Sequence, residues 1–90
     1  MSVNFKISIH RNSDNLHLKL MGDFDGSSAC ELINVLKANA YGTSKVFIHT
    51  SCLNQIHPFG RNVFCNNLHV MKGGSFKFVF TGDKSSQLEP

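Results

Sequence analysis

The chain has 90 residues, of which 41% are hydrophobic and 17% charged, and nine Lys+Arg against six Asp+Glu give a net charge of +3. This size and composition predict one globular domain over residues 1–90 and exclude a disordered chain. The basic residues form no run, so we expect no nucleic-acid partner, and no apolar stretch approaches the ~20 residues that a membrane helix requires, so we expect no membrane partner.

The first segment of the chain predicts a β-hairpin. Apolar residues occupy every second position from Val3 to Ile9 and alternate with polar ones, which is typical of a half-buried strand. A second alternating run, Leu16 to Leu20, follows a polar stretch at residues 11–15 that is rich in turn-forming Asn and Asp. Two such runs joined by a short turn indicate antiparallel strands.

Residues 22–42 change to a helical period. The apolar residues of one helix face are Ala29, Leu32, Ile33, Leu36 and Ala40. Ser28 and Glu31 have the spacing of a capping box. Asp25 adds negative charge near the positive end of the helix dipole. Gly42 is expected to end the helix.

The next segment predicts a strand followed by a second helix. Residues 45–50 carry apolar side chains on both faces, which is typical of a central strand covered on both sides. A short connector leads to Pro58, which suits the first helical position because its missing N–H is not needed there. An apolar stripe follows, formed by Val63, Phe64, Leu68, Val70 and Met71, and we expect Gly73 and Gly74 to end the helix.

A last alternating run from Phe76 to Phe80 predicts the final strand, and the polar residues 82–90 indicate a tail or a short capping turn. The order is therefore β-β-α-β-α-β. An antiparallel first strand followed by two helical crossovers predicts an α/β fold with a small mixed sheet and its helices mainly on one face.

The order and spacing of three segments resemble the STAS domain of bacterial anti-sigma factor antagonists. The segment LKLMGDFDGSSACELINVL resembles the family's strand-Gly-x-x-Asp-helix opening, with Gly22 and Asp25 at the matching positions. KVFIHTSCLNQIHPFG is similar to its central strand and following loop, and GGSFKFVFTG to its next strand. Covering residues 3–82, the resemblance implies a non-catalytic protein-interaction module of bacterial signalling or transcriptional regulation, without a cofactor.

The loop that carries the family's switch differs in this chain. The family reads Asp-Ser-Ser-Gly or Asp-Ser-x-Gly there, and phosphorylation of the serine beside the glycine releases a kinase-type anti-sigma factor. Here His57 replaces the Asp, Pro58 and Phe59 replace the serines, and Gly60 is retained. Phe59 has no hydroxyl, so the resemblance implies a docking loop without the phosphorylation switch. The family also continues into a further helix, so the scaffold is expected to be shortened at its C-terminus.

We therefore expect a protein partner, either an anti-sigma factor-like kinase or another signalling protein. The expected contact residues are His57, Pro58, Phe59, Gly60, Arg61, Asn62, Asp23 and Asp25, and the segment 23–27 is expected to lie nearby. Phe59 would be the apolar anchor, with Arg61 and Asn62 at a polar rim. The same pattern allows Phe59 to be a core side chain under the helix start, and pairing with a second copy of the chain is a further alternative.

Other chemistries have weaker signals. Cys52, His57, Cys65 and His69 could in principle surround one Zn²⁺, but no Cys-x2-Cys pair is present, and we expect no metal. A nucleophilic Cys52–His57 pair lacks an acid nearby in the sequence, so we expect no enzyme. The runner-up function is a small-ligand or nucleotide-binding domain that holds an anion at its helix N-termini.

Cysteine usage and the N-terminus bear on the compartment. Cys30, Cys52 and Cys65 show no paired spacing, which favours a reducing environment. The N-terminal segment alternates and lacks the apolar core of a signal peptide. We therefore expect a cytoplasmic protein.

Overall fold

The computed structural model describes the backbone of residues 4–71 and 76–89, and the side chains of these residues except 69–71. The elements in chain order are β1 (Phe5–Asn12), β2 (Asn15–Phe24), α1 (Gly26–Asn39), β3 (Lys45–Ile56), α2 (Pro58–Met71), β4 (Lys77–Thr81) and α3 (Ser85–Leu88). The predicted β-β-α-β-α-β order is confirmed, with one short helix after it.

The strands form one sheet in the order β1-β2-β3-β4. β1 and β2 are antiparallel, whereas β2 with β3 and β3 with β4 are parallel, so the predicted mixed sheet is confirmed. The hairpin is tighter than the polar stretch at residues 11–15 indicated. Asn12 pairs with Asn15, and only Ser13 and Asp14 form the turn, with Ser13 at a φ of 59°.

One face of the sheet packs against the helices. The core side chains on this face of β2 and β3 include Leu16, Leu18, Leu20, Val46 and Ile48, all fully buried. α1 packs on β2 and α2, while α3 packs on α2, β3 and β4. The prediction that the helices lie mainly on one face is confirmed.

β3 differs from its prediction in two ways. It is not covered on both faces: Val46, Ile48 and Thr50 are buried, whereas Phe47 and His49 on the opposite face are half-buried. It also continues to Ile56, which pairs with Phe24 at the end of β2. Two register shifts within that pairing let β3 remain in the sheet beyond Thr50, so the expected connector before α2 shrinks to His57.

The start of α1 also requires a correction. Asp25, not Ser28, is the N-cap, and its side chain accepts a hydrogen bond from the Ser28 backbone N–H at 2.9 Å. Ser28 is buried, and its hydroxyl donates to the Asp23 carbonyl at 2.8 Å. The capping-box spacing of Ser28 and Glu31 is therefore not used as a cap, because the helix begins two residues before Ser28.

The C-terminal segment is a capping element rather than a tail. Residues 82–90 contain α3, whose Leu88 is fully buried in the core. The sequence allowed either a tail or a short capping turn for this segment, and the tail is wrong. A one-turn helix lies at the end of the scaffold, where the resemblance implied a shortened C-terminus. The expected helix stop at Gly73 and Gly74 lies outside the described residues.

The described helices are too short or too polar to cross a membrane.

Candidate functional site

Two helix N-termini meet at one edge of the sheet. β2 and β3 are parallel neighbours that end at Phe24 and Ile56, and a helix follows each of them almost at once. The backbone N–H of His57 donates to the Phe24 carbonyl at 2.9 Å and ties the two strand ends together. Since the carboxyl ends of parallel strands share an edge, the starts of α1 and α2 lie side by side, where ligands commonly bind in α/β folds.

Gly60 allows the two helix starts to approach closely. A Cβ at this position would lie 2.6 Å from both the backbone C and the backbone O of Asp25, which is too close for any side chain. Gly60 is buried as a result. It was expected to contact a partner, but its position makes it a packing residue of the site.

Phe59 lies at the surface of this junction. Its residue surface is 71% exposed, so the alternative of a core side chain is excluded. A Cβ built on Gly26 would lie 2.8 Å from Cε2 of Phe59, so the ring rests on the bare backbone of Gly26. The ring is therefore supported from below by α1 and is presented to solvent above.

A groove of about 740 Å³ runs beside Phe59 between the two helices. α1 contributes Ser27, Cys30, Glu31 and Asn34, and α2 contributes Phe59 and Val63, with Asp25 and Gly26 at the start of α1. Residues 27, 30, 31 and 34 have the three- and four-residue spacing of one helix face, which is the signal that could have found them. The sequence analysis included Ser27 in the segment 23–27 but missed Cys30, Glu31 and Asn34, because it concentrated on the start of α2.

The groove has acidic character. Asp25 and Glu31 are in its lining. The Ser28 backbone N–H bonded to Asp25 is the main cause that holds the pKa of this carboxyl below its ordinary value, and the nearby His57 contributes in the same direction. Asp25 is therefore a stable anion at the positive end of α1, where it already satisfies the helix dipole.

The other expected site residues lie around the groove but outside its lining. His57, Pro58 and Asn62 are exposed. Arg61 is half-buried, and its Nε donates to the Gln87 carbonyl at 2.7 Å, which attaches α3 to α2. Asp23 is half-buried, and its backbone N–H and carbonyl are both engaged, with the Asn4 carbonyl and the Ser28 hydroxyl. The structure thus brings Phe59 and Asp25 together, and leaves Asp23 in the sheet.

The four candidate zinc ligands are not all placed. Cys52 is exposed on β3, and the half-buried Cys65 donates its thiol to the Leu88 carbonyl at 3.6 Å. The side chain of His69 lies outside the described residues. Among the residues that are described, no group of three or more His, Cys, Asp or Glu has the geometry to hold a metal ion.

No family model matches the sequence, and no curated protein matches it either. Solved structures do match. The STAS domain of an antisigma-factor antagonist from Rhodobacter sphaeroides superposes with a TM-score of 0.73 at 9% identity, over 92% of this chain and 91% of that chain. An uncharacterized protein with a SpoIIAA-like fold from Shewanella loihica gives a TM-score of 0.63 at 20% identity, over 97% of this chain and 75% of that chain.

A larger protein contains a similar unit. The crystal structure of Mglu matches with a TM-score of 0.76 at 16% identity, over 86% of this chain but only 19% of that chain. The present chain thus spans about a fifth of the length of Mglu. At these identities the likeness concerns the fold, and the chain has the STAS, SpoIIAA-like fold.

Proposed function

We propose that this protein is a non-catalytic docking module of the bacterial cytoplasm that binds a signalling or transcription-regulating protein at the groove between α1 and α2. The observation that carries the proposal is Phe59, which is 71% exposed beside that groove. The half-buried Val63 continues the apolar surface of Phe59 along the groove, and contiguous exposed apolar surface marks interaction sites. Aromatic residues also dominate the binding energy of many interfaces.

The chemistry of the groove narrows the class of partner. Phe59 and Val63 supply apolar surface, while Asp25 and Glu31 supply negative charge. A matching partner places an apolar side chain against Phe59 and a basic side chain near the two carboxylates. An anti-sigma factor-like kinase or another signalling protein with such a surface fits this description.

Phe59 stands where the STAS resemblance places the phosphorylated serine of the family. Because Phe59 has no hydroxyl, binding at this groove is not controlled by phosphorylation at that position. The proposed module therefore docks without a phosphorylation switch at this position.

The runner-up, a nucleotide-binding site, is less compatible with the groove. Its volume is in the range of small-molecule sites. However, the described lining contains two carboxylates and no basic side chain, which disfavours a phosphate group. The N-terminus of α1 is also occupied by its own Asp25 carboxylate.

The test of docking is Phe59→Asp, which places a charge at the proposed anchor. We expect this variant to lose the partner that the wild type captures from cell lysate, as identified by mass spectrometry, and to bind the purified partner about 30-fold more weakly or worse by calorimetry. Tyr41→Asp is the matched control, since Tyr41 is 73% exposed and lies beyond the other end of α1, and it should bind as the wild type does.

Circular dichroism and thermal melting establish that each variant is folded. If Phe59→Asp is folded and still captures the same proteins as the wild type, the proposal is wrong. If it does not fold, Phe59→Ser takes its place, because it removes the ring without adding a charge. A second copy of this chain as partner would appear as a concentration-dependent dimer in light scattering that Phe59→Asp abolishes.

A further inference from the structure

The sheet has a second face that the docking groove does not use. Side chains on this open face of β2, β3 and β4 alternate with the buried ones, and cross-strand partners share the face. His17, Phe47 and Val79 form one row, and Lys19, His49 and Thr81 form the next. Among the described residues, none of the buried hydrophobic core side chains lies on this face.

The charge on the open face is positive. Its lysines are exposed and lie on all four strands: Lys6, Lys19, Lys45 and Lys77. Within their described bounds, the strands contain one carboxylate, Asp23, near the end of β2. Asp14, in the turn before β2, is also near Lys45, although its own carboxylate is bonded by the Ser44 hydroxyl at 2.6 Å. The four lysines therefore outnumber the two nearby carboxylates, Asp14 and Asp23.

Lys45 and Lys77 are direct cross-strand partners on β3 and β4. Like charges at directly opposed positions destabilise a sheet, and the next residue in this row, Asn15, carries no charge. An anion bound between the two ammonium groups would remove this repulsion. Asp14 near Lys45 already offsets part of this repulsion, and a polyanionic partner would offset the rest.

The two rows next to these lysines carry three rings, those of His17 and Phe47 in one row and that of His49 beside Lys19 in the other. His17 and His49 are joined by a contact of 3.0 Å between Nδ1 and Nε2, with ring planes only 5° apart, so the two imidazoles lie edge to edge in nearly one plane. Phe47 stacks on His17 with ring centroids 4.5 Å apart and planes 4° apart. His49 is held on its other side by Thr81, with 2.6 Å between Nδ1 and Oγ1. These contacts fix the rings without a covering helix.

We propose that the open face of the sheet binds single-stranded nucleic acid. Phe47 and His17 cover each other's facing sides, so unpaired bases stack on the outer side of this three-ring cluster, and phosphates contact Lys19, Lys45 and Lys77. Aromatic platforms flanked by basic side chains bind single strands in this way, because every base has a flat π-face. A duplex would not fit the same chemistry, since its bases are already stacked and paired.

This inference departs from the expectation that the chain has no nucleic-acid partner. That expectation depended on the spread of basic residues along the sequence. In the fold, basic residues that are far apart in the sequence come together, because the parallel pairing of β3 with β4 places Lys45 opposite Lys77.

Fluorescence anisotropy with labelled oligo(dT) and oligo(U) of about twelve nucleotides tests the proposal. Wild-type protein should bind both, with a slope of log affinity against log salt of about −2, as expected for three phosphate contacts. Lys77→Gln should reduce the magnitude of that slope by about 0.7, whereas Lys37→Gln, which removes an exposed charge from α1, should leave it unchanged. Phe47→Leu, if folded by circular dichroism, should weaken binding about tenfold through the lost stacking.

Several outcomes would overturn the proposal: no binding at low salt, an equal loss in Lys37→Gln and Lys77→Gln, or unchanged affinity in folded Phe47→Leu. Equal displacement by heparin, with no effect of Phe47→Leu, would reduce the surface to a non-specific polyanion site. Binding to phosphatidylserine-containing vesicles without binding to either oligonucleotide would assign the lysines to a lipid surface instead. Phe59→Asp should retain oligonucleotide binding, which separates this face from the docking groove.

Discussion

His49 is a residue whose behaviour depends on its neighbours in space. His49 lies on β3, between β2 and β4, and its burial there lowers the pKa of its imidazole from the ordinary value of 6.5. The nearby His17 and Lys19 lower this pKa further. The contact between His17 and His49 requires that at least one of the facing nitrogens be unprotonated. The neutral form of His49 is therefore the one that the folded state favours.

The pKa shift of His49 predicts how stability depends on pH. Because the folded pKa lies below the unfolded one, the unfolded state binds more protons as the pH falls. The contribution of neutral His49 is fully present above pH 6.5 and is lost as the pH falls through the folded pKa. We expect the free energy of unfolding, measured with urea, to fall between about pH 7 and pH 5.

The variant His49→Gln should show a weaker fall in stability over that range, since the amide can still form hydrogen bonds but does not titrate. His57→Gln is the control, because His57 is exposed at the start of α2. Identical pH dependence in the wild type and His49→Gln would contradict the assignment.

At the scale of single elements, hydrophobic period predicted the identity of each strand and helix better than it predicted their ends. The alternating runs around Phe5 and Leu18 and the stripe through Leu32 depend on local spacing alone. The end of β3 does not, because Ser51 to Ile56 are polar or mixed and stay in the sheet only through pairing with β2. The predicted N-cap of α1 was wrong for a similar reason. Ser28 and Asp25 both have side chains that are common at N-caps, and tertiary contacts determine that Asp25 takes this position.

The observed cap of α1 is tested by removing each candidate cap separately. Asp25→Ala should lower the free energy of unfolding by about 1 kcal/mol, because it removes the acceptor for the Ser28 backbone N–H. Asp25→Asn retains an acceptor and should lose less. Urea denaturation at neutral pH measures both.

The control for the cap is Glu31→Ala, which removes the other half of the expected capping box without touching Asp25. It should change stability by less than about 0.5 kcal/mol. A loss equal to that of Asp25→Ala would mean that α1 uses the capping box after all.

At the scale of the whole molecule, α3 completes the core. Leu88 is fully buried, and the Leu88 and Gln87 carbonyls accept bonds from Cys65 and Arg61 of α2. The segment after β4 therefore contributes to the same core as α2 and the sheet. The sequence did not predict this contribution, because the segment is mostly polar and a single buried leucine has no hydrophobic periodicity.

Leu88→Ala should destabilise the protein by about 2–5 kcal/mol, as expected for a large-to-small change at a buried site. Gln87→Ala is the control at the neighbouring exposed position and should have little effect, since Gln87 uses its backbone carbonyl in the contact with Arg61. Thermal or urea unfolding measures the difference. Equal stability of the two variants would mean that the burial of Leu88 does not stabilise the fold.

The sequence by itself determined the order of the elements, the mixed sheet and most of the core, because these follow from spacing along the chain. It also indicated where β3 is followed by α2 and thus the region of the candidate site. Only the tertiary structure decided that Phe59 is exposed, with its ring resting on Gly26 of another helix, and that Gly60 is buried against Asp25. The open face likewise needs the register of three strands to bring Lys45 and Lys77 beside Phe47 and His17. Burial and charge clustering are sums over neighbours that are distant in sequence, so no local pattern could have predicted them.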